Sequence, residues 1–147
     1  MIARLRHLAR RTAESVGRRA PEPELEHWAR QQLTAVERQL WDRFHPRDKR
    51  HSIGVARRFV GLEPDAPTTA IAGALLHDIG KIEAPSSVPA RIAAELLGPI
   101  TSGMARLREH EAIGSELLQE AGSDPVTIAT AQGRGRWGPA VLRADDL

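Results

Sequence analysis

Residues 70–81, AIAGALLHDIGK, decide the fold, because an unusually apolar run ends in two adjacent polar side chains. The alanine and leucine content predicts a buried helix over residues 67–78, closed by Gly80. Burying His77 and Asp78 at the end of this helix would be costly unless another group satisfied them. The doublet therefore indicates either a binding site or a helix end at the surface, where the helix macrodipole favours a histidine.

Helical spacing of apolar residues continues on both sides of this segment. Thr34 and Glu37 have the spacing of a capping box and predict the start of a helix. Pro46 predicts the end of that helix, and Asp48 is a candidate cap for the next one, which ends at Gly61. Further helices are expected over residues 24–33, 91–97, 104–121, 124–132 and 139–147. No stretch alternates apolar and polar residues over the length of a strand, so the predicted fold is all-α, a bundle of about six to eight helices.

The composition limits the chemistry that the chain can perform. With 147 residues, 41% of them hydrophobic and 27% charged, the chain fits one globular domain with its own core. It contains no cysteine, which excludes a disulfide framework, a zinc ribbon and a thiol nucleophile. Any transition metal must therefore be bound by histidine and carboxylate groups.

The N-terminal segment differs in charge from the rest of the chain. We interpret residues 1–23 as a basic arm and proline-containing linker, and residues 24–147 as the helical domain. Arginines crowd the first part of the arm: Arg4, Arg6, Arg10, Arg11, Arg18 and Arg19. Such an arm can bind nucleic acid or an anionic membrane surface. The alternative is a solvated tail, which is favoured because no aromatic residue is interleaved with the arginines.

Nothing in the sequence predicts a membrane-spanning or secreted protein. No apolar stretch approaches the about 18 to 20 residues that a transmembrane helix needs. The first residues, MIARLRHLARR, carry arginines throughout and lack the apolar segment of a secretory signal. We expect a cytoplasmic protein.

Two further polar residues lie on apolar helix faces. His110 lies in a stripe with Ile113, Leu117 and other apolar residues at steps of three and four, so it should point towards the core. A lone histidine in such a position is more often a hydrogen-bonded core residue than a ligand. Asp145 shares a face with Val141 and Leu142 in the last predicted helix. Both residues become candidates for the same site as the doublet.

Together these residues carry a family resemblance. His51, the stretch HDIGK at 77–81, and Asp145 resemble the H…HD…D signature of the HD superfamily of metal-dependent phosphohydrolases. The stretch HEAIG at 110–114, followed by Leu117 and Leu118, also resembles a later helix of that family. The resemblance covers residues 25–147 and implies an HD-domain-like helical bundle. It leaves the basic arm outside.

The resemblance implies hydrolysis of a small phosphorylated substrate, often a nucleotide, with the help of one bound metal. The implied metal ligands are His51, His77, Asp78 and Asp145. Two imidazoles and two carboxylates suit one divalent ion such as Mn²⁺, Fe²⁺, Co²⁺, Ni²⁺ or Zn²⁺.

Lys81 and His110 are the candidate catalytic residues beside these ligands. Lys81 follows Asp78 by one helical turn and can reach a phosphate oxygen as a point charge. The alternative for Lys81 is a solvated residue near a helix end. We expect His110 to hydrogen-bond a water molecule or a substrate oxygen at the wall of the pocket.

The sequence departs from the family pattern in two places. HD proteins with two metals usually have further histidines after the residue that corresponds to His110, but residues 128–137, IATAQGRGRW, contain none. A second ion would lack ligands there, and Arg134 would repel it, so we expect one metal per chain. Asp145 also lies two residues from the end of the sequence, where a helix frays unless the metal holds it in place.

Three functions remain open at this point. The first is a one-metal phosphohydrolase that acts on a nucleotide or another small phosphate ester. The second is a degenerate HD domain that binds metal or nucleotide as a regulatory module with little turnover, which the missing histidines favour. The third is a nucleic-acid or membrane-surface binder led by the basic arm.

Overall fold

The computed structural model describes residues 19–82 and 102–147, and for residues 102–107 it describes the backbone only. Within these ranges there are seven α-helices and no strand, so the all-α prediction is confirmed. The helices are α1 (Pro23–Gln31), α2 (Ala35–Asp42), α3 (Pro46–Leu62), α4 (Thr68–Leu75), α5 (Ser102–Glu120), α6 (Pro125–Ala131) and α7 (Gly138–Asp146). The helix expected over residues 91–97 and most of the basic arm lie outside the described residues. None of the described helices has the length and apolar character that spanning a membrane requires.

Local capping determines where α2 and α3 begin. The predicted capping box is confirmed: Thr34 Oγ1 accepts a hydrogen bond from the Glu37 amide at 3.2 Å, and Glu37 Oε2 accepts one from the Thr34 amide at 2.9 Å. The prediction that Asp48 caps α3 was wrong. His45 caps this helix, because its Nδ1 accepts from the Arg47 amide at 3.2 Å. Pro46 then occupies the first turn, where its missing N–H is not needed.

The helix that leads to the His-Asp doublet is shorter than predicted. We expected it to extend over residues 67–78, but α4 ends at Leu75. His77 and Asp78 instead lie in a turn that continues into a 3₁₀ helix, Ile79–Ile82. We call residues 76–82 the site turn.

The long helix α3 is the scaffold on which the site is assembled. It packs against α1, α4 and α7, and α4 packs on its other side against α6. The α4–α6 contact is close, since a Cβ at Gly73 would lie 2.6 Å from Thr130 Cβ and 2.8 Å from the Thr127 carbonyl oxygen. The largest fully buried apolar side chains of the core are Trp41, Val55, Phe59, Leu75, Leu76, Ile79, Leu118 and Val141. A rigid core therefore lies directly beneath α3 and the site turn.

Two glycines bring the site turn against α5. A Cβ at Gly80 would lie 1.9 Å from the carbonyl oxygen of His110, and a Cβ at Gly114 would lie 3.3 Å from the Gly80 nitrogen. Only glycine allows backbones to approach this closely. The predicted inward stripe of α5 is confirmed in its described part, where Ile113 and Leu118 are buried. The result is that His110 lies on the helix next to the doublet.

Candidate metal centre

Three segments distant in sequence converge at one end of α3. His51 lies in the second turn of α3, His77 and Asp78 lie in the site turn, and Asp145 lies in the last turn of α7. Because α3 packs against both α4 and α7, it brings these segments together. The nearest approach is between His51 Nε2 and Asp145 Oδ1, at 3.0 Å.

His51, His77 and Asp145 form a group with the dimensions of a metal site. Each offers one ligand atom, and the three atoms lie within 4.8 Å of one another. His77 Nε2 is 3.9 Å from Asp145 Oδ1, and the two imidazole rings have centroids 5.6 Å apart. Two imidazole nitrogens and a carboxylate oxygen are donors that divalent transition metals accept. This group could therefore hold a metal ion.

The orientation of His77 supports that assignment. Its Nδ1 lies 2.8 Å from the Ala74 carbonyl oxygen. Because a carbonyl can only accept, Nδ1 carries the ring proton and donates a hydrogen bond to this oxygen. In the neutral ring Nε2 then has a free lone pair. Nε2 is buried and has no hydrogen-bond partner among the described residues. A buried acceptor of this kind is costly unless a cation or a proton donor satisfies it, and a bound metal ion would do so.

Asp78 lies at the edge of the group. Its Oδ2 is 3.6 Å from His77 Nε2 and 3.8 Å from His51 Nε2. Burial raises the pKa of the Asp78 carboxyl, but the charges of His77, Lys81 and His51 and the hydrogen bond from Lys81 outweigh burial, so its pKa lies below the ordinary value. Asp78 is therefore an anion at neutral pH and is available to a cation.

Lys81 contacts the doublet directly. Its Nζ lies 2.6 Å from Asp78 Oδ2, and its side chain is 48% exposed. The residue belongs to the 3₁₀ helix, whose tight turn brings position 81 back towards position 78. Lys81 thus places a positive charge beside the Asp78 carboxylate at the solvent-exposed edge of the site turn.

His110 is placed next to the site turn but not among the close ligand atoms. Its carbonyl oxygen touches Gly80, and its side-chain Nδ1 is buried without a hydrogen-bond partner among the described residues. Among the described residues, the group within 4.8 Å includes His51, His77 and Asp145 but not His110. The structure therefore brings His51, His77 and Asp145 together, leaves Asp78 at the edge of this group and leaves His110 on the adjoining helix.

The prediction for the α7 face was partly wrong. Val141 is buried as expected, but Leu142 is 56% exposed, so Leu142 does not belong to the buried face of α7. The buried face of α7 is formed by Gly138, Ala140, Val141 and Ala144. Sequence reasoning also missed Arg58, whose Nε donates to the Ala144 carbonyl at 2.7 Å. No local sequence signal identifies this contact, because it joins residues 86 positions apart.

A helical bundle with a half-buried cluster of histidine and aspartate resembles the class of helical metal-binding domains. The comparison with protein families makes this more specific: the HD domain family matches residues 49–140, more than half of the chain, and the chain belongs to that family. HD domains bind divalent metals, and the family consists generally of metal-dependent phosphohydrolases. The matched region includes His51, His77 and Asp78, and Asp145 lies beyond it. Neither the curated proteins nor the solved structures yield a match.

Proposed function

We propose that this protein is a metal-dependent hydrolase of a phosphate ester, namely a nucleotide or a related small phosphate. The observation that carries the proposal is the convergence of His51, His77 and Asp145 within 4.8 Å in a chain of the HD family. These residues come from segments that are distant in sequence, namely α3, the site turn and α7. A buried imidazole nitrogen without a hydrogen-bond partner is rare in proteins, and its position beside a carboxylate is typical of a functional site.

The residues that would hold the ion are His51, His77, Asp78 and Asp145. Their donor set of two imidazoles and two carboxylates fits one divalent ion, such as Mn²⁺, Fe²⁺, Co²⁺, Ni²⁺ or Zn²⁺. When bound, such an ion lowers the pKa of a coordinated water and neutralises charge on the phosphoryl group. The Ala74 carbonyl supports this arrangement, because it holds the ring of His77 with Nε2 directed at the other ligands.

Lys81 and His110 would act on the substrate. The ammonium of Lys81 is half exposed beside Asp78, where it can move to a phosphate oxygen and attract an anionic substrate. His110 has a buried Nδ1 without a hydrogen-bond partner in the described residues, so a water molecule or a substrate oxygen can satisfy it. Together they would orient the phosphate against the metal ligands.

The α6–α7 segment supports a site with one metal. Neither α6 nor the turn that follows it contains a histidine. This turn is also closely packed, since a Cβ at Gly138 would lie 2.1 Å from the carbonyl carbon of Gly133. In two-metal sites the ions lie about 3.5 to 4 Å apart, and a second ion at that distance would need protein ligands of its own. We therefore assign one ion per chain.

The test is a screen of the purified protein against nucleotides and other phosphate esters with each divalent metal added. We expect phosphate release from at least one compound in the presence of metal and none after chelation. The matched control is the Asp145→Asn variant, which keeps the shape of the side chain but removes the anionic ligand. Equal rates for the wild type and this variant would exclude the proposed site as the source of activity.

The second candidate is a regulatory HD domain that binds metal or nucleotide with little turnover. The absence of histidine from residues 128–137 favours it, since active two-metal relatives carry further ligands there. Tight binding of Mn²⁺ and of a nucleotide without phosphate release from any compound would identify this function. The same screen therefore separates the two candidates.

A further inference from the structure

Arg58 is one of the side chains that join the last turn of α7 to α3, where His51 and Asp145 also meet. Arg58 Nε donates a hydrogen bond of 2.7 Å to the carbonyl oxygen of Ala144, the residue before Asp145. Arg58 follows His51 by seven residues, which is about two helical turns, so both lie on the face of α3 that meets α7. The contact therefore links the helix that carries His51 to the turn that carries Asp145.

The chemistry of a helix end explains why a guanidinium is suited to this place. Ala144 lies in the last turn of α7, and carbonyl groups in a last turn lack an N–H partner within their own helix. A cation there satisfies a carbonyl and also interacts favourably with the negative end of the helix macrodipole. Arg58 thus caps α7 from a neighbouring helix.

Gly54 has no side chain, and the guanidinium of Arg58 lies over this position on the surface of α3. A Cβ at Gly54 would lie 3.4 Å from Arg58 Nη1, which places the guanidinium over the helix surface one turn before Arg58 itself. Gly54 lies between His51 and Arg58 in sequence. The side chain of Arg58 therefore runs back towards the turn of α3 where His51 meets Asp145.

We propose that Arg58 is a positioning residue of the metal centre: by holding the Ala144 carbonyl, it keeps the carboxylate of Asp145 against His51. The inference rests on the proposed function only in assuming that this cluster binds a metal. Without Arg58, the Ala144 carbonyl would lose this hydrogen bond to α3. The last turn of α7 would then fray more readily, as helix ends do. Asp145 would then sample positions away from His51, and each metal-binding event would have to order it again.

The experiment compares Arg58→Gln with the matched control Arg57→Gln. Arg57 is the neighbouring residue on α3 and is exposed, so both substitutions remove the same charge from the same helix. Isothermal titration with Mn²⁺ alone, without substrate, measures the affinity of each protein. We expect Arg58→Gln to bind Mn²⁺ about 10- to 100-fold more weakly than the wild type, the range seen for residues that orient metal ligands. Arg57→Gln should bind as the wild type does, and Arg58→Lys should recover part of the loss because it restores a cationic donor.

A second readout separates positioning from general stability. Amide hydrogen exchange in a chelating buffer should be faster in the last turn of α7 of Arg58→Gln and unchanged in the core helices α3 and α4. Equal Mn²⁺ affinity for Arg58→Gln and Arg57→Gln would overturn the proposal, and so would a loss of affinity accompanied by faster exchange throughout the chain. If Arg58→Gln does not fold, Arg58→Met takes its place, because it removes the donor and keeps much of the aliphatic chain. A wild-type affinity in that variant together with unchanged exchange in α7 counts against the proposal.

The outcomes also distinguish this proposal from the proposed function. A wild-type protein that binds Mn²⁺ but hydrolyses no phosphate ester would refute the hydrolase, while the comparison of Arg58→Gln with Arg57→Gln would still support or overturn the role of Arg58. A wild-type protein that binds no divalent metal would overturn both.

Discussion

Alanine at position 80 tests the packing that places the site turn against α5. In the wild type, the Gly80 backbone lies so near α5 that a Cβ would be 1.9 Å from the His110 carbonyl oxygen, 2.8 Å from its carbon and 3.1 Å from the Gly114 nitrogen. The first of these distances is about 1.5 Å shorter than ordinary van der Waals contact. All three atoms belong to the backbone, so no side-chain rotation can relieve the overlap.

The expected cost follows from this geometry. The site turn and α5 must separate, and forcing an extra methyl group into a packed interior costs about 1 to 3 kcal/mol or more. We expect Gly80→Ala to lie at the upper end, with a free energy of unfolding lowered by about 3 kcal/mol. For a chain of this size the melting temperature should fall by roughly 10 °C. Mn²⁺ should also bind more weakly, because the displaced turn carries His77 and Asp78.

The measurement is urea unfolding followed by circular dichroism in a chelating buffer, with Gly61→Ala as the control. Gly61 lies in the last turn of α3, and a Cβ there would meet nothing within 4 Å. Alanine should therefore raise the free energy of unfolding by about 0.5 kcal/mol at that position through its better helix propensity. If Gly80→Ala were as stable as the wild type, the close approach of the site turn to α5 would be refuted.

Two further predictions concern the doublet and its lysine. Asp78→Ala should fold but lose Mn²⁺ binding and any hydrolysis. Added Mn²⁺ should therefore no longer raise its melting temperature, whereas Mn²⁺ at a concentration of 100 times its Kd should stabilise the wild type by about 2.7 kcal/mol. Full metal occupancy in that variant would show that Asp78 is not needed to bind the metal. Lys81→Ala should retain Mn²⁺ and lower kcat by about 10- to 1000-fold, since it removes a charge that acts on the phosphoryl group. An unchanged kcat would mean that Lys81 is only a solvated residue paired with Asp78.

Much of the fold could be predicted because its signals are local. The capping box of Thr34 and Glu37 depends on residues three positions apart, and the structure contains it as predicted. Asp48 was assigned wrongly because Pro46 can either end one helix or begin the next. The structure uses it to begin α3, which moves the cap to His45.

The contacts that support the site could not be predicted from local patterns. The sequence motif identified His77 and Asp78, but it did not predict that α4 ends at Leu75. The residues after this end pack against α5, and the helical spacing of apolar residues carries no information about that contact. The contact of Arg58 with Ala144 and the buried hydrogen bond from Ser123 to Glu37 each span 86 residues. Such pairs depend on how helices pack, and a single sequence carries no periodic signal for them.

The most direct test of the metal centre is a crystal structure of the protein loaded with excess Mn²⁺, with anomalous scattering recorded to locate the ions. The account predicts one fully occupied ion per chain, bound by His51, His77, Asp78 and Asp145, with His110 near the site but not coordinated. Two fully occupied ions with His110 bound to one of them would contradict it, and so would a single ion bound elsewhere.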